Sequence, residues 1–212
     1  MSTLEWFKAF FHMSGGFVQR DFSLAAFNGQ QSSLEIIVDA SPWGLAGVLI
    51  VDGVVAEYFA DPIGPYDCEL YGHQLGSPNG QQVWESLTAL VALRLWEPLW
   101  ANKAVRLRLK GDSVTMLTLV VNMRPSSPAL SIIGRELAMV FSKATYVPIV
   151  AQHVPGVANV IADKLFRWFQ PGVRPETPSA LANARHRSAP SRVKDYYLTL
   201  NSSGYLPNNA EE

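Results

Sequence analysis

The apolar positions along the chain mark out one central block. Residues 34–39 (Leu-Glu-Ile-Ile-Val-Asp) read as a buried strand, Ser41-Pro42-Trp43-Gly44 as a turn, and residues 46–51 as a second strand. Asp52-Gly53 is a strong hairpin signal, and residues 54–59 supply the third strand. Residues 61–80 are rich in Gly and Pro and read as a long loop. Residues 81–96 are apolar on nearly every side, which predicts a buried helix that Pro98 limits. A fourth strand follows over 104–109, then a helix over 113–121. Residues 125–128 break the chain, and a helix over 129–143, a fifth strand over 146–154 and a last helix over 159–169 complete the block. The order β-β-β-α-β-α-α-β-α predicts an α/β fold: a five-stranded mixed sheet, three antiparallel strands followed by β-α alternation, flanked by helices.

The flanks read differently. In residues 1–33, Leu4, Phe7, Ala9, Phe10 and Phe11 suggest a short amphipathic helix ending at Gly15-Gly16. Residues 171–212 contain Pro171, Pro175, Pro178, Pro190 and Pro207 among Ser, Asn and Arg, and read as a flexible tail. The division is therefore 1–33, a catalytic-sized block over 34–170, and 171–212. A length of 212 residues with 48% hydrophobic and 17% charged positions suits one globular domain with extra length.

Composition narrows the setting. No apolar run reaches about 18 residues, so no membrane span is expected. No basic stretch precedes an apolar one at the N-terminus, so no secretory signal is expected. One cysteine, Cys68, excludes an internal disulfide and a zinc-thiolate site, and suits a reducing, intracellular compartment. The net charge of −1 lacks the basic excess common in nucleic-acid binders. Cations bound at carboxylates would offset part of that balance.

Four acids stand in apolar surroundings. Asp39 ends the first strand, and Glu85 lies among Val83, Trp84, Leu87 and Leu90. Asp112 follows the fourth strand after Gly111, and Asp163 lies between Ile161-Ala162 and Leu165-Phe166. A buried carboxylate is costly unless paired or metal-bound. Neighbouring strands that end in Asp can present both at one sheet edge, and helices packed there can add two more. An oxygen-only cluster suits two Mg²⁺ or Mn²⁺ ions and phosphodiester hydrolysis. Each acid also has a structural alternative: an Asx turn for Asp39, a partly exposed helix position for Glu85, an N-cap for Asp112 and a surface helix position for Asp163.

The segment Asp39-Ala-Ser-Pro-Trp-Gly-Leu-Ala-Gly-Val-Leu resembles the opening motif of retroelement RNase H domains. His153-Val-Pro-Gly-Val-Ala-Asn-Val-Ile-Ala-Asp-Lys-Leu-Phe-Arg-Trp resembles their closing motif, His-x-x-Gly-x-x-Asn-x-x-Ala-Asp-x-Leu-Ser-Arg. Glu85 and Gly111-Asp112-Ser113 match in order and spacing, and the resemblance covers about residues 34–168. It implies an RNase H-like fold and an endoribonuclease that cuts the RNA strand of RNA–DNA hybrids. Asp39, Glu85, Asp112 and Asp163 would hold two divalent ions, and Asn159 would orient the closing loop or contact substrate. Residues 1–33 are similar to the stretch joining polymerase and RNase H in gypsy-like and DIRS-like elements, which implies a reverse transcriptase polymerase as partner in one polyprotein. The chain has no Tyr-x-Asp-Asp motif. It departs from the pattern at Phe166, where Ser is usual, and at Val157-Ala158, where cellular enzymes carry a mobile His. His153 lies earlier and reads as a strand-end residue with local hydrogen bonds. Slower turnover is expected.

Substrate contacts would come from Ser41, Trp43 and Gly44 near the RNA backbone, and from Gln81 with Gln82 and Asn79 at the helix start; Trp43 suits the core equally, and the amides suit capping. Arg106, Arg108 and Lys110 share one strand face, solvated or salt-bridged unless phosphate-facing. Arg185, His186, Arg187, Arg192 and Lys194 would add weak nonspecific affinity. Two alternatives stand beside the nuclease: a non-catalytic RNase H-like nucleic-acid-binding or scaffold module, and an integrase, transposase or exonuclease on the same fold.

Overall fold

A computed structural model describes residues 3–13, 32–100, 105–143, 149–154 and 159–201. The strands are β1 (Ser32–Ala40), β2 (Gly44–Val51), β3 (Val54–Pro62), β4 (Val105–Gly111), β5 (Ile149–His153) and β6 (Arg185–His186). The helices are α1 (Thr3–Met13), α2 (Pro65–Tyr71), α3 (Gln81–Trp96), α4 (Val114–Asn122), α5 (Pro128–Lys143), α6 (Val160–Phe166) and α7 (Leu198–Asn201). The sheet order is β5-β4-β1-β2-β3-β6. β1, β2 and β3 pair antiparallel, while β1–β4, β4–β5 and β3–β6 pair parallel. This is the expected mixed α/β sheet flanked by helices. Among the described residues, no helix is long and apolar enough to cross a membrane.

Alternation along β1 fixes the two layers. Leu34, Ile36 and Val38 enter the large core under α3, α4 and α5, with Trp84, Leu87, Leu90, Leu107 and Leu109. Ile37, together with Ala46, Val48 and Tyr58, faces the opposite side and meets Leu165 and Phe166 of α6. α3 has no polar face because it is buried almost all round. Asp52 and Gly53 take left-handed φ values of 48° and 84°, the geometry a two-residue hairpin requires.

Three expectations change. The 61–80 stretch holds α2, which starts with Pro65 in its first turn and stops at Gly72 in a left-handed conformation (φ 69°). The Pro and Gly that suggested a loop are the punctuation of a short helix. Among the described residues the sheet has six strands rather than five, because β6 pairs with β3 through Glu57↔Arg185 and Tyr58↔His186. The flexible tail expected over 171–212 is instead anchored to the domain between residues 178 and 201, while 171–177 are exposed. Tyr197 and Thr199 are fully buried. Buried Arg192 donates to Asp67 at 2.9–3.1 Å and to the Pro62 carbonyl, and pairs with Asp61. Glu136 accepts from Arg94, from the Leu198 and Thr199 amides and from the Thr199 hydroxyl. At the other end, α1 is a helix as expected, and residues 14–31, including Gly15-Gly16, lie outside the described residues.

Gly44 shows how tightly the two layers meet. A Cβ there would lie 2.4 Å from the Phe169 ring and 2.9 Å from the Phe166 carbonyl oxygen. The ring can shift but the backbone cannot, so Gly44→Ala should lower stability by about 1–3 kcal/mol, the usual scale of overpacking. A denaturant-unfolding midpoint equal to wild type would show that the contact is dispensable.

Candidate functional site

Parallel pairing brings the C-terminal ends of β1, β4 and β5 to one edge of the sheet. Asp39 is the penultimate residue of β1, Asp112 follows β4 directly, and His153 ends β5. Glu85 reaches this edge from α3 on one face and Asp163 from α6 on the other. The four acids interact electrostatically. Burial pushes the Asp39 carboxyl up to about 8, and the negative charges of Asp112, Asp163 and Glu85 add to the shift, against a hydrogen bond from the Ala40 amide. Burial also raises Glu85, opposed by hydrogen bonds from Ser113 and Gln81.

Two carboxamides bracket the end of β1. The Asn159 Nδ2 donates to the Asp39 Oδ2 at 3.0 Å and to the Val38 carbonyl at 3.3 Å. The Gln81 Nε2 donates to the Ala40 carbonyl at 2.7 Å and to the Glu85 Oε1 at 3.0 Å. Each amide thus ties one β1 carbonyl to one carboxylate. Asn159 is buried, and among the described residues its Oδ1 has no hydrogen-bond partner.

The remaining expected residues take varied places. Ser41 is buried, and its hydroxyl oxygen accepts from the Trp43 and Gly44 amides at 3.1 and 3.2 Å, so it closes the β1–β2 turn. Trp43 is half-buried, with its ring where a Cβ on Gly76 would fall. Gly44 is buried beneath Phe169. The capping role open to Asp112 belongs to Ser113, whose hydroxyl accepts from the Met116 amide. The His153 Nε2 lies 3.1 Å from the Asp112 carbonyl, the local bond expected of it. Both oxygens of Asp163 accept from Arg167, at 2.7 and 2.8 Å. Lys110 pairs with Glu35 at 2.7 Å, while Arg106 and Arg108 are exposed. Arg187 pairs with Glu57 and stays partly exposed, while Arg192 is buried between Asp61 and Asp67.

Sequence reasoning had given no site role to Ser113 or Arg167. Both carried a local signal: a Ser directly before an apolar helix, and an Arg four residues after an Asp.

The donor set suits a hard divalent cation in kind. It is all oxygen, and the charges of Asp112, Asp163 and Glu85 add to burial in raising the Asp39 carboxyl. The coordination shell is not closed. Among the described residues no three His, Cys, Asp or Glu side chains stand together as ligands for one ion, and Asp163 is engaged by Arg167.

No protein-family model matches the chain, and no curated protein does. Solved structures with a similar course include RNase H1 from the halophilic archaeon Halobacterium salinarum NRC-1. It is 17% identical, with 66% of this chain and 99% of that chain covered, and the TM-score is 0.49. The N-terminal RNase H domain of a Mycobacterium tuberculosis protein, determined as a fusion with maltose-binding protein, is 16% identical over 64% and 95%, with a TM-score of 0.47. LC11-RNase H1 in complex with an RNA/DNA hybrid is 16% identical over 62% and 92%, with a TM-score of 0.48. At these identities the likeness concerns the path of the backbone alone.

Proposed function

We propose that this chain is a ribonuclease H that hydrolyses the RNA strand of RNA–DNA hybrids, as part of a retroelement reverse transcriptase with a polymerase domain as its partner. One observation supports the catalytic reading: acids from four separate segments lie close enough at one sheet edge to act on one another, and the Asp39 carboxyl is pushed up to about 8 by burial first and by the charges of the other three after it. Asp39, Glu85, Asp112 and Asp163 would hold two Mg²⁺ or Mn²⁺ ions. Such ions supply an activated water and charge stabilisation at the leaving oxygen of a phosphodiester. The chain's own contribution is placement. Asn159 holds the Asp39 carboxylate and Gln81 holds that of Glu85, while Ser113 donates to Glu85 and caps α4. Arg167 must share Asp163 with an ion or release it.

Gln81 therefore acts here as a positioning residue rather than a minor-groove reader. Losing such an outer partner lowers metal affinity or activity by about 10–100-fold. Asn159→Ala and Gln81→Ala are each expected to fall in that range and to need more metal for half-maximal rate. Rates and metal dependence equal to wild type would remove the positioning role.

The paired state of Asp163 favours a second reading, a nucleic-acid-binding module that keeps the fold without catalysis. Incubating the protein with labelled RNA–DNA hybrid, duplex DNA and single-stranded RNA in Mg²⁺ or Mn²⁺ separates the readings. The nuclease reading expects the RNA of the hybrid alone to be cut. Hybrid binding without cleavage supports the module, and cleavage of duplex DNA alone points to a DNA-cutting enzyme.

A further inference from the structure

Charge is distributed unevenly along the chain. Residues 164–194 hold seven Lys and Arg against one carboxylate, Glu176, while the chain as a whole carries −1. Part of this excess is spent on the fold, since Arg187 and Arg192 are in ion pairs with β3 and α2. Three of the others, Lys164, Arg167 and Arg174, line one groove that begins at the carboxylate edge. A cavity of about 380 Å³ opens between α6 and the 173–179 loop, lined by Lys164, Arg167, Arg174, Thr177, Ser179 and Glu176. The loop is pinned there because the Trp168 Nε1 donates to the Glu176 carbonyl at 3.1 Å. Trp168 itself is held against Tyr58 and His186.

Three features select the ligand. Lys164 and Arg174 are exposed, and among the described residues neither is in an ion pair. The groove offers three cations and two hydroxyls, a donor set that suits an anion with several acceptor oxygens. Arg167 lines the groove and also holds Asp163, so the groove begins at the carboxylate edge. A nucleic-acid strand lying across that edge would carry its next backbone phosphates over these donors.

We propose that the groove between α6 and residues 173–179 binds a backbone phosphate of the nucleic-acid duplex, with Lys164 and Arg174 as its contacts. This rests on the nucleic-acid reading of the neighbouring edge, but not on catalysis. A phosphate contact is blind to sequence and sensitive to salt, because binding releases condensed counterions.

The test uses the full chain carrying Lys164→Gln and Arg174→Gln together. Binding of a fluorescent RNA–DNA hybrid is followed by anisotropy over a range of salt concentrations, in a D39N background so that the substrate stays intact. The pair should weaken binding several-fold for hybrids of any sequence and reduce the slope of log affinity against log salt by about 2. With Asp39 intact, KM should rise while kcat at saturating hybrid stays unchanged. Glu176→Gln should tighten binding. Unchanged affinity and salt slope in the double variant overturn the proposal. If wild type cuts no hybrid yet the double variant still loses affinity and slope, catalysis fails and the groove stands. If wild type cuts hybrid and the double variant keeps its KM and slope, the groove fails alone.

Discussion

Replacing Asp39 by Asn should abolish hybrid cleavage and, at the same time, make the metal-free protein more stable at alkaline pH. The two effects have one origin. Asp39 is 7% exposed, and its carboxyl is raised to about 8 by burial first and by Asp112, Asp163 and Glu85 after it. In the unfolded chain an Asp titrates near about 3.9. Between these two values the native state holds a proton that the unfolded state has released, so stability falls as pH rises from about 4 to about 8. Above that window both states are ionised and the penalty is complete. Asn cannot ionise, so D39N should show a flatter stability curve. It should match wild type near pH 4 and exceed it at pH 8 by on the order of 2 kcal/mol or more. The same replacement removes an oxygen ligand from the proposed metal centre, and cleavage should fall by on the order of 10²–10³-fold or more. Adding Mg²⁺ at pH 8 should raise the melting temperature of wild type more than that of D39N. A D39N protein less stable than wild type at pH 8 without metal would mean that Asp39 is compensated in a way its surroundings do not show.

The second large effect concerns Arg192. Its side chain is 4% exposed and lies among Asp67, 1% exposed, Asp61 and the Pro62 carbonyl. Arg192→Ala would strand the Asp67 carboxylate in the interior, beside Tyr197 and the Gly64 amide. Breaking a buried pair by removing one partner is expected to lower stability by about 3–5 kcal/mol. Asp67→Asn in the same chain should recover part of that loss, because the stranded charge goes with it. The measurement is the denaturant midpoint of the three proteins at constant m. A loss below about 1 kcal/mol for Arg192→Ala would show that residues 185–201 can leave the domain freely.

The contrast between these two residues shows what was legible in the sequence. The strands of the central block could be read because each is a dense apolar run with turn residues at its ends, and Asp52-Gly53 fixed the hairpin. Asp39 stood out because a charge at the end of such a run demands a reason. Arg192 gave no such signal. It sits in a Pro-, Ser- and Arg-containing stretch whose composition resembles disorder, and its partners lie 125 and more residues away. Only the fold brings Asp61 and Asp67 to it. The short strand β6 escaped for the same reason, since two exposed residues, Arg185 and His186, have no periodicity to read. Helix α2 was hidden by its own Pro and Gly.

At the candidate site the order of the four acids was visible, but their partners were not. Gln81 lies one helical turn before Glu85, which suggests an i,i+4 contact, yet its bond to the Ala40 carbonyl depends on how α3 meets β1. The pairing of Arg167 with Asp163 was legible from spacing, and it changes what Asp163 needs. An ion at that position has to compete with a bidentate guanidinium. Arg167→Gln should therefore lower the metal concentration needed for half-maximal cleavage, provided that Asp163 serves as a ligand.

The central claim is that four carboxylates from four segments act as one metal-dependent centre on RNA–DNA hybrids. The most direct measurement is metal-dependent cleavage of an end-labelled RNA strand in a hybrid by wild type, by D39N, E85Q, D112N and D163N, and by their pairwise combinations. Groups that act as a unit are not additive. The account predicts cutting by wild type that stops when the metal is chelated, a large loss for every single variant, and pairs scarcely worse than the worse of their singles. Wild type that cuts no hybrid, or a single carboxylate variant that cuts at the wild-type rate, would contradict it.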